Sequence, residues 1–241
     1  MNINKNCGLF LRDIYLYDIE ACHYTILERL GFDLSNIDKK DKEGRNIHIG
    51  KLMKQNPRLT DILRKTTNSI VDENISRNNI TEDELILRQY DGIIITRILQ
   101  EVIVQSIPLA LSSHFEIFII SVDRNKYIAF DGIETTIKGV PHRYEKIDKL
   151  YRRIAKINFN VRSSIFENLQ EIKDEILTSN DPELYCVPVS DDKYSVFLKG
   201  YEEVEITKQT VRMMDVNDVD RRKYFEFYLR PFTESITVEF V

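Results

Sequence analysis

Two aspartates, Asp18 and Asp91, have the side chains and the local sequence that a paired-carboxylate site requires. The apolar stretch of residues 9–17 predicts a buried strand that ends at Asp18. Asp91 stands before Gly92 between two β-rich runs, a pattern typical of a hairpin tip. Two carboxylates side by side on one sheet can hold a pair of divalent ions, which need hard oxygen ligands and support phosphoryl transfer. We therefore predict a catalytic metal site at these two aspartates.

A basic helical segment lies between the two aspartates. Residues 37–54 and 58–79 have the pattern of two helices, and Asn56-Pro57 separates them because proline disfavours helical geometry in the preceding residue. Between residues 45 and 65, six lysines and arginines stand against one acid. These cations are suited to hold a triphosphate above the sheet by charge-assisted hydrogen bonds, and a solvated helix face is the alternative interpretation.

The composition predicts a globular protein outside the membrane. The 241 residues are 42% hydrophobic, which is enough apolar surface for a core. No apolar run approaches the roughly 20 residues that a membrane-spanning helix needs. A net charge of −5 argues against a protein that coats nucleic acid everywhere, although a local basic track remains compatible with it. The first residues lack the basic and then apolar pattern of a secretory signal, so we expect a cytoplasmic protein. Cys7, Cys22 and Cys186 are scattered, so we expect reduced thiols.

The second half of the chain predicts more strands and helices. We expect strands at residues 114–122, 126–130 and 133–138, and helices at residues 144–156 and 163–178. The first of these helices is rich in lysine and arginine, which suits contacts to phosphates. The apolar C-terminal tail from Glu234 predicts a core strand, and a short peptide that docks to a partner such as a sliding clamp is the alternative interpretation. The whole pattern indicates an α+β fold with an antiparallel sheet.

Four short segments resemble motifs of the family B DNA polymerases, in the order usual for that family. Motif A, an aspartate that ends a strand before a helix, resembles the segment from Asp18, D-I-E-A-C-H-Y-T-I-L. Motif B of the fingers helix resembles the segment from Arg64, R-K-T-T-N-S-I-V. Motif C, a hairpin with acids at its tip, resembles the segment from Arg88, R-Q-Y-D-G-I-I-I. The segment from Lys126 to Gly139 is similar to the Lys-x-Tyr and Ile-Lys-Gly stretches that follow motif C.

The resemblance implies a polymerase architecture and activity. It implies an antiparallel palm sheet in residues 1–143, a helical-hairpin fingers insertion at about residues 37–80, and a thumb-like α+β region in residues 144–241. The implied activity is template-directed DNA synthesis from deoxynucleoside triphosphates on a primer–template, with Mg²⁺ or Mn²⁺ as cofactor. The chain would act alone or as the palm subunit of a split polymerase, with other replication subunits as partners. A viral protein of this kind would work in the host cytoplasm.

The resemblance also implies roles for individual residues. Metal contacts fall to Asp18, Ile19 and Asp91, and the two aspartates are catalytic. Nucleotide contacts fall to His23, Tyr24, Arg64, Lys65 and Asn68. DNA contacts fall to Lys126, Tyr127, Lys138, Arg143, Arg152 and Arg153.

The sequence departs from the family pattern at several positions. Gln89 replaces the first aspartate of motif C, and His23 stands where the family usually has the tyrosine that excludes ribonucleotides. Arg64 replaces the commoner lysine of motif B, with its charge kept. An exonuclease domain does not fit before residue 14. These departures indicate a minimal polymerase, one piece of a split polymerase, or a decayed relative.

Two other classes of protein stay open. Asp18 and Glu20 after a hydrophobic strand also resemble the first motif of the DEDD 3′ to 5′ exonucleases, which gather carboxylates around two metals. The turn into a helix at Ala21 disfavours that class. A non-catalytic, polymerase-like scaffold that binds nucleic acid is the other, and Gln89 favours it. In the plainest interpretation, Asp18 caps a helix and Asp91 forms an ordinary turn.

Overall fold

A computed structural model describes residues 8–99, 107–141 and 144–240, with the backbone alone at residues 238–240. Its strands, numbered in chain order, are β1 Leu9–Phe10, β2 Ile14–Asp18, β3 Leu85–Arg88, β4 Gly92–Ile95, β5 Ala110–Phe115, β6 Ile117–Ile120, β7 Tyr127–Phe130, β8 Thr135–Lys138, β9 Val187–Ser190, β10 Lys193–Phe197 and β11 Glu203–Thr207. Its α-helices are α1 Cys22–Arg29, α2 Lys42–Gln55, α3 Pro57–Arg77, α4 Glu145–Ala155, α5 Arg162–Thr178, α6 Lys208–Met213, α7 Arg221–Tyr228 and α8 Arg230–Phe240. None of the helices in these described ranges is both long and apolar enough to cross a membrane. The mixed α+β fold on antiparallel sheets is confirmed.

The chain divides into two compact units. Residues 13–114 form one, which we call the aspartate unit, and residues 1–12 with 115–241 form the other, which we call the flanking unit. The boundary after residue 114 differs from the predicted division after residue 143. The reason is that strands β6 to β8 share a core with the helices that follow them. The division into palm and thumb stays a prediction.

A four-stranded sheet in the order β3-β4-β2-β5 underlies the aspartate unit. The two central strands, β2 and β4, are antiparallel, with Tyr15 opposite Ile95 and Asp18 opposite Gly92. β3 pairs with β4 across the hairpin that the sequence predicts at Asp91. The isoleucines of β4 are fully buried. Both faces of β4 are therefore buried, as is typical of a short, continuous apolar strand inside a fold.

Three helices complete the aspartate unit. α2 begins at Lys42 because the Asp41 carboxylate caps it, accepting a hydrogen bond from the Gly44 N–H at 3.1 Å. α3 begins at Pro57, where a missing N–H is tolerated and the fixed φ suits the first turn. The predicted pair of helices is confirmed, although the first begins later than residue 37. The core combines Leu27 of α1, Ile49 of α2, Leu63 and Val71 of α3, and Ile93 of β4.

The flanking unit contains two sheets around one core. Their strand orders are β1-β6-β7-β8 and β11-β10-β9. Helices α4 to α8 and the segment of residues 182–186 also contribute to this core, and its largest fully buried side chains include Tyr151, Tyr185, Tyr224 and Phe232. The Tyr151 hydroxyl donates to the Tyr228 carbonyl at 3.0 Å, which satisfies one of these buried polar groups.

Two predicted strands are each divided between two sheets. The segment of residues 9–17 forms β1 and β2, which are separated at the exposed pair Arg12-Asp13. The segment of residues 114–122 is interrupted at the exposed Glu116, which separates β5 from β6. At both places, charged residues in solvent allow the chain to leave one sheet and enter another. The apolar pattern alone does not reveal such a change of partner.

The C-terminal segment is a helix, and the predicted core strand there is wrong. The residues Arg230–Phe240 form α8. Phe232, Ser235 and Ile236 are buried at spacings of three and four, which is the period of one helix face. The Ser235 hydroxyl donates to the Ile120 carbonyl oxygen at 2.7 Å. This packing outweighs the β-propensity of the isoleucine, threonine and valine in the segment.

Candidate active site

Asp18 and Asp91 lie at the same end of two paired strands. Asp18 is the last residue of β2 and stands opposite Gly92, the first residue of β4. The Ile19 N–H donates to the Asp91 carbonyl oxygen at 2.9 Å, which extends the pairing one step beyond the strands. The backbone therefore holds the two aspartates in neighbouring positions at the end of the sheet.

Gly92 allows the two strands to approach closely beside the aspartates. A Cβ atom at this position would overlap the Tyr17 carbonyl oxygen and lie 3.0 Å from the Asp18 Cα. Both of these atoms belong to the backbone of β2, so they cannot move without shifting the strand. The glycine of the Asp91-Gly92 pair is thus required by the spacing between the strands.

Burial and neighbouring charge raise the pKa of the Asp18 carboxyl. Partial burial is the largest cause, and the negative charges of Asp91 and Glu20 act in the same direction. A hydrogen bond from the Ser112 side chain and the charge of Lys42 oppose the rise in pKa. Because the net shift in pKa is upward, the surroundings of Asp18 do not fully stabilise its negative charge. A bound cation would supply the missing stabilisation.

Two adjacent carboxylates are a donor set that Mg²⁺ or Mn²⁺ accepts. Proteins hold Mg²⁺ through one or two carboxylates, and water and substrate phosphates supply the other ligands. Among the described residues, no group of three or more His, Cys, Asp and Glu side chains is arranged to hold a metal ion. The two carboxylates of Asp18 and Asp91 fit the smaller number that Mg²⁺ requires. The Ile19 side chain is buried, so the contact predicted for this residue falls to its backbone.

Helix α1 places Cys22 and His23 beside the aspartates. Burial raises the pKa of the Cys22 thiol to about 11, with smaller contributions from the charges of Asp91 and Asp18. Burial also lowers the pKa of His23, and the charge of Asp91 opposes that change only in part. Both side chains are therefore uncharged at neutral pH. His23 Nε2 lies 3.2 Å from the Tyr90 hydroxyl, so this pair borders the hairpin tip.

Helix α3 brings Asn68 against the hairpin that carries Asp91. Arg88, the last residue of β3, donates from Nη2 to the Asn68 side-chain oxygen at 3.1 Å. Thr67, the preceding residue of α3, has its hydroxyl 3.6 Å from the Cys22 sulfur. The three segments that resemble motifs A, B and C are therefore in direct contact within the aspartate unit.

The other predicted nucleotide-binding residues differ in exposure. Arg64 and Lys65 lie on α3 about one turn before Asn68, and both are exposed. Arg64 pairs with Asp61 at 3.1 Å, and because the two side chains are 63% and 64% exposed, a phosphate could displace the acid at little cost. Tyr24 is 8% exposed, and its side chain belongs to the core of the aspartate unit.

The predicted DNA contacts from the segment after motif C lie in the flanking unit. The Lys126 ammonium is 4.8 Å from the centroid of the Phe227 ring, a cation–π contact. Tyr127 is buried in β7 at 3% exposure. Lys138 ends β8 and is exposed. Arg143 lies outside the described residues.

The two predicted DNA-binding arginines of α4 are paired with carboxylates. Arg152 Nε lies 2.5 Å from an Asp148 oxygen. Arg153 forms an ion pair with Glu175, and its Nη2 is 3.6 Å from a Glu171 oxygen. Both arginines therefore have partners inside the flanking unit.

Three residues near the aspartates were not assigned a role from sequence. Ser112 lies on β5, which neighbours β2, and a serine in a short strand gives no signal of a distant hydrogen-bond partner. Lys42 belongs to the basic helical segment, so its charge was an available signal. Arg88 lies within the segment that resembles motif C, but its contact with α3 depends on tertiary structure.

Comparisons with known proteins place the chain in a phage family. No curated protein matches it. The solved structure of the family B DNA polymerase from the hyperthermophilic archaeon Pyrobaculum calidifontis is similar over 95% of this chain, with 11% sequence identity and a TM-score of 0.47. This chain spans 45% of that polymerase chain. A family model described as "Bacteriophage PBS1 gene 130 protein" matches residues 4–221, and the chain belongs to this family.

Proposed function

We propose that this chain is a template-directed DNA polymerase, or the palm subunit of a split one, that adds deoxynucleotides to a primer by two-metal-ion phosphoryl transfer. The observation that carries the proposal is the pairing of Asp18 and Asp91 at the end of two adjacent strands. The upward pKa shift of Asp18 supports it, because such shifts concentrate where a fold keeps charge for a ligand. The resemblance of the three contacting segments to motifs A, B and C supplies the reaction class.

The two aspartates and the Ile19 backbone would hold Mg²⁺ or Mn²⁺. The metal, when bound, supplies activation of the primer 3′ hydroxyl and neutralisation of the triphosphate. The protein's own part is to hold the two carboxylates in place. The backbone bond from Ile19 to Asp91 and the close approach at Gly92 serve that purpose, because they hold the ends of the two strands together.

Cations of α2 and α3 are suited to the phosphates of the incoming nucleotide. Lys42 is close enough to Asp18 for its charge to lower the pKa of that carboxyl. The Lys42 ammonium can therefore bind a phosphate group that also contacts a metal ion at Asp18. Arg64 and Lys65 add two more charges, and the guanidinium of Arg64 can bind phosphate oxygens through two parallel hydrogen bonds.

Primer extension with Mg²⁺ or Mn²⁺ tests this function. We expect synthesis by the wild-type chain and by Asp33→Asn, an exposed change elsewhere in the aspartate unit. We expect no synthesis by Asp18→Asn or Asp91→Asn. Removal of 3′ nucleotides without synthesis would identify an exonuclease instead.

A polymerase-like protein that binds nucleic acid without catalysis is the second candidate. Gln89 favours it, because this residue leaves two carboxylates where the family pattern has three acids. The Gln89 N–H bonds to the Gly92 carbonyl at 2.9 Å, so the residue also belongs to the hairpin turn. In this case primer–template binds equally to wild type, Asp18→Asn and Asp91→Asn, and none of the three extends the primer.

A further inference from the structure

Arg88 connects the Asp91 hairpin to helix α3. Its Nε donates to an Asp72 carboxylate oxygen at 2.9 Å, and its Nη2 donates to the Asn68 side-chain oxygen at 3.1 Å. Its Nη1 also donates to the Gln89 carbonyl at 3.3 Å, so the same side chain supports its own hairpin. A planar guanidinium that satisfies several partners at once is confined to one orientation.

The two partners on α3 belong to the same helix face as Arg64. Residues four apart lie one above the other on a helix, so Arg64, Asn68 and Asp72 form one row along α3. Arg88 binds two members of this row. Its hydrogen bonds therefore add to the core packing of α3 in fixing how the helix is rotated and how far along the hairpin it lies. These two quantities affect where Arg64 projects.

A second arginine makes a similar connection at the other end of the same hairpin. Arg97, which follows β4, donates to a Glu84 carboxylate oxygen and to the Asn78 carbonyl, each at 2.7 Å. Asn78 is the capping residue that directly follows the last residue of α3, Arg77. The side chains of Arg97 and Arg88 are 33% and 34% exposed. The two arginines thus match in burial and in kind of contact, but only Arg88 adjoins the hairpin tip of Asp91.

We propose that Arg88 is a positioning residue for the incoming nucleoside triphosphate, because it holds the Arg64 row of α3 in a fixed place against the Asp91 hairpin. This inference rests on the proposed function and adds to it the contact that couples the phosphate-binding helix to the carboxylate pair. A binding surface that is already ordered loses less conformational freedom when the ligand binds. In this arrangement Asn68 acts by anchoring α3 through Arg88.

Calorimetric titration of this 241-residue chain with a non-hydrolysable deoxynucleoside triphosphate analogue, in the presence of Mg²⁺, tests this role. We expect Arg88→Ala and Arg88→Lys each to raise the Kd of the analogue about tenfold, which is about 1.4 kcal/mol of binding free energy, because α3 must then be ordered when the ligand binds. Binding of Mg²⁺ alone should stay at the wild-type level. Arg97→Ala should bind the analogue as the wild type does, and it controls for general loosening of the attachment between α3 and the hairpin.

Three outcomes would overturn the inference in distinguishable ways. Wild-type binding by Arg88→Lys would show that a positive charge suffices and that the fixed guanidinium has no positioning role. Equal losses in Arg97→Ala and Arg88→Ala would show that any weakening of the α3 attachment has the same effect. Failure of the wild-type chain to bind the analogue would overturn the proposed function, and the role of Arg88 would fall with it.

Discussion

The charges of the aspartate pair and those of helix α4 are compensated in different ways. In the aspartate unit, Asp18 and Asp91 are neighbours of like charge, and partial burial with the Asp91 charge raises the pKa of Asp18. In the flanking unit, the arginines of α4 each face a carboxylate, as in the pair of Arg152 with Asp148. The two like charges lower the stability of the ligand-free protein, whereas the ion pairs leave it unchanged or raise it slightly.

This difference helps to separate functional charge from structural charge. A fold can neutralise a carboxylate with a nearby cation, as the flanking unit does for Asp148. Retaining two adjacent carboxylates costs free energy unless a ligand stabilises them, so uncompensated charge indicates a site. The number of charged residues in a segment carries less information than their partners. The basic composition of α4 alone suggested DNA contacts, whereas its ion pairs connect it to its own unit.

The largest effect that we expect is the loss of activity when one metal ligand is removed. Asp91→Asn should reduce Mg²⁺-dependent primer extension at least about 100-fold, because even groups one step further from a metal contribute about 10–100-fold. The measurement is single-nucleotide insertion at saturating primer–template. Asp148→Asn, which removes a paired carboxylate from the flanking unit, should insert nucleotides like the wild type. A comparable loss in both variants would remove the distinction between the units.

Gly92→Ala should distort the strand pair that holds the aspartates. The new methyl group meets backbone atoms of β2, so we expect a loss of about 1–3 kcal/mol in the free energy of unfolding. Gly50→Ala is the matched control, because Gly50 lies within α2 with open space around it. That change should stabilise the protein by about 0.5–1 kcal/mol. Urea denaturation measures both, and an unaffected Gly92→Ala would show that the close approach of the strands is not required.

Asp18→Asn should stabilise the metal-free protein at neutral pH. The pKa of Asp18 is raised in the folded state, so the wild type loses stability as the pH rises through that pKa, and the uncharged variant does not. The gain should therefore vanish at low pH, where the carboxyl is protonated in the wild type as well. Thermal unfolding across pH measures it. Asp148→Asn should instead lose about 0.3–0.5 kcal/mol at neutral pH, the usual contribution of such a helix pair.

The smallest effect concerns the arginines of α4. Because Arg152 and Arg153 have carboxylate partners, we expect their joint replacement by glutamine to leave the salt dependence of primer–template binding nearly unchanged. A fall of about 1.8 in the slope of log K against log salt would show instead that both contact phosphates, as the family resemblance implies. Wild-type titrations at several salt concentrations supply the reference slope.

Local sequence patterns were sufficient for the elements that carry the aspartates. The apolar run before Asp18, the Asp91-Gly92 turn and Pro57 each determine structure within a few neighbouring residues, and the structure has a strand end, a hairpin and a helix start at these places. The segment that became α8 was misjudged, because β-propensity is weak compared with the tertiary packing of Phe232 and its neighbours.

Contacts between distant segments could not be predicted from the sequence. The hydrogen bond from Ser112 to Asp18 depends on which strand lies beside β2, and the guanidinium contacts of Arg88 depend on how α3 lies against the hairpin. The ion pair of Arg152 with Asp148 is a local one, and its i,i+4 spacing can be seen in the sequence. The ion pair of Arg153 with Glu175 joins two helices, so the sequence does not reveal it.

Binding of Mn²⁺, measured by electron paramagnetic resonance, tests the central claim that Asp18 and Asp91 form a metal site. Titration of the wild type, Asp18→Asn, Asp91→Asn and the Asp33→Asn control gives the affinity of each without any need for catalysis. We predict saturable Mn²⁺ binding by the wild type and the control, and its loss in the other two variants. Undiminished binding by either aspartate variant, or no binding by the wild type, would contradict the account.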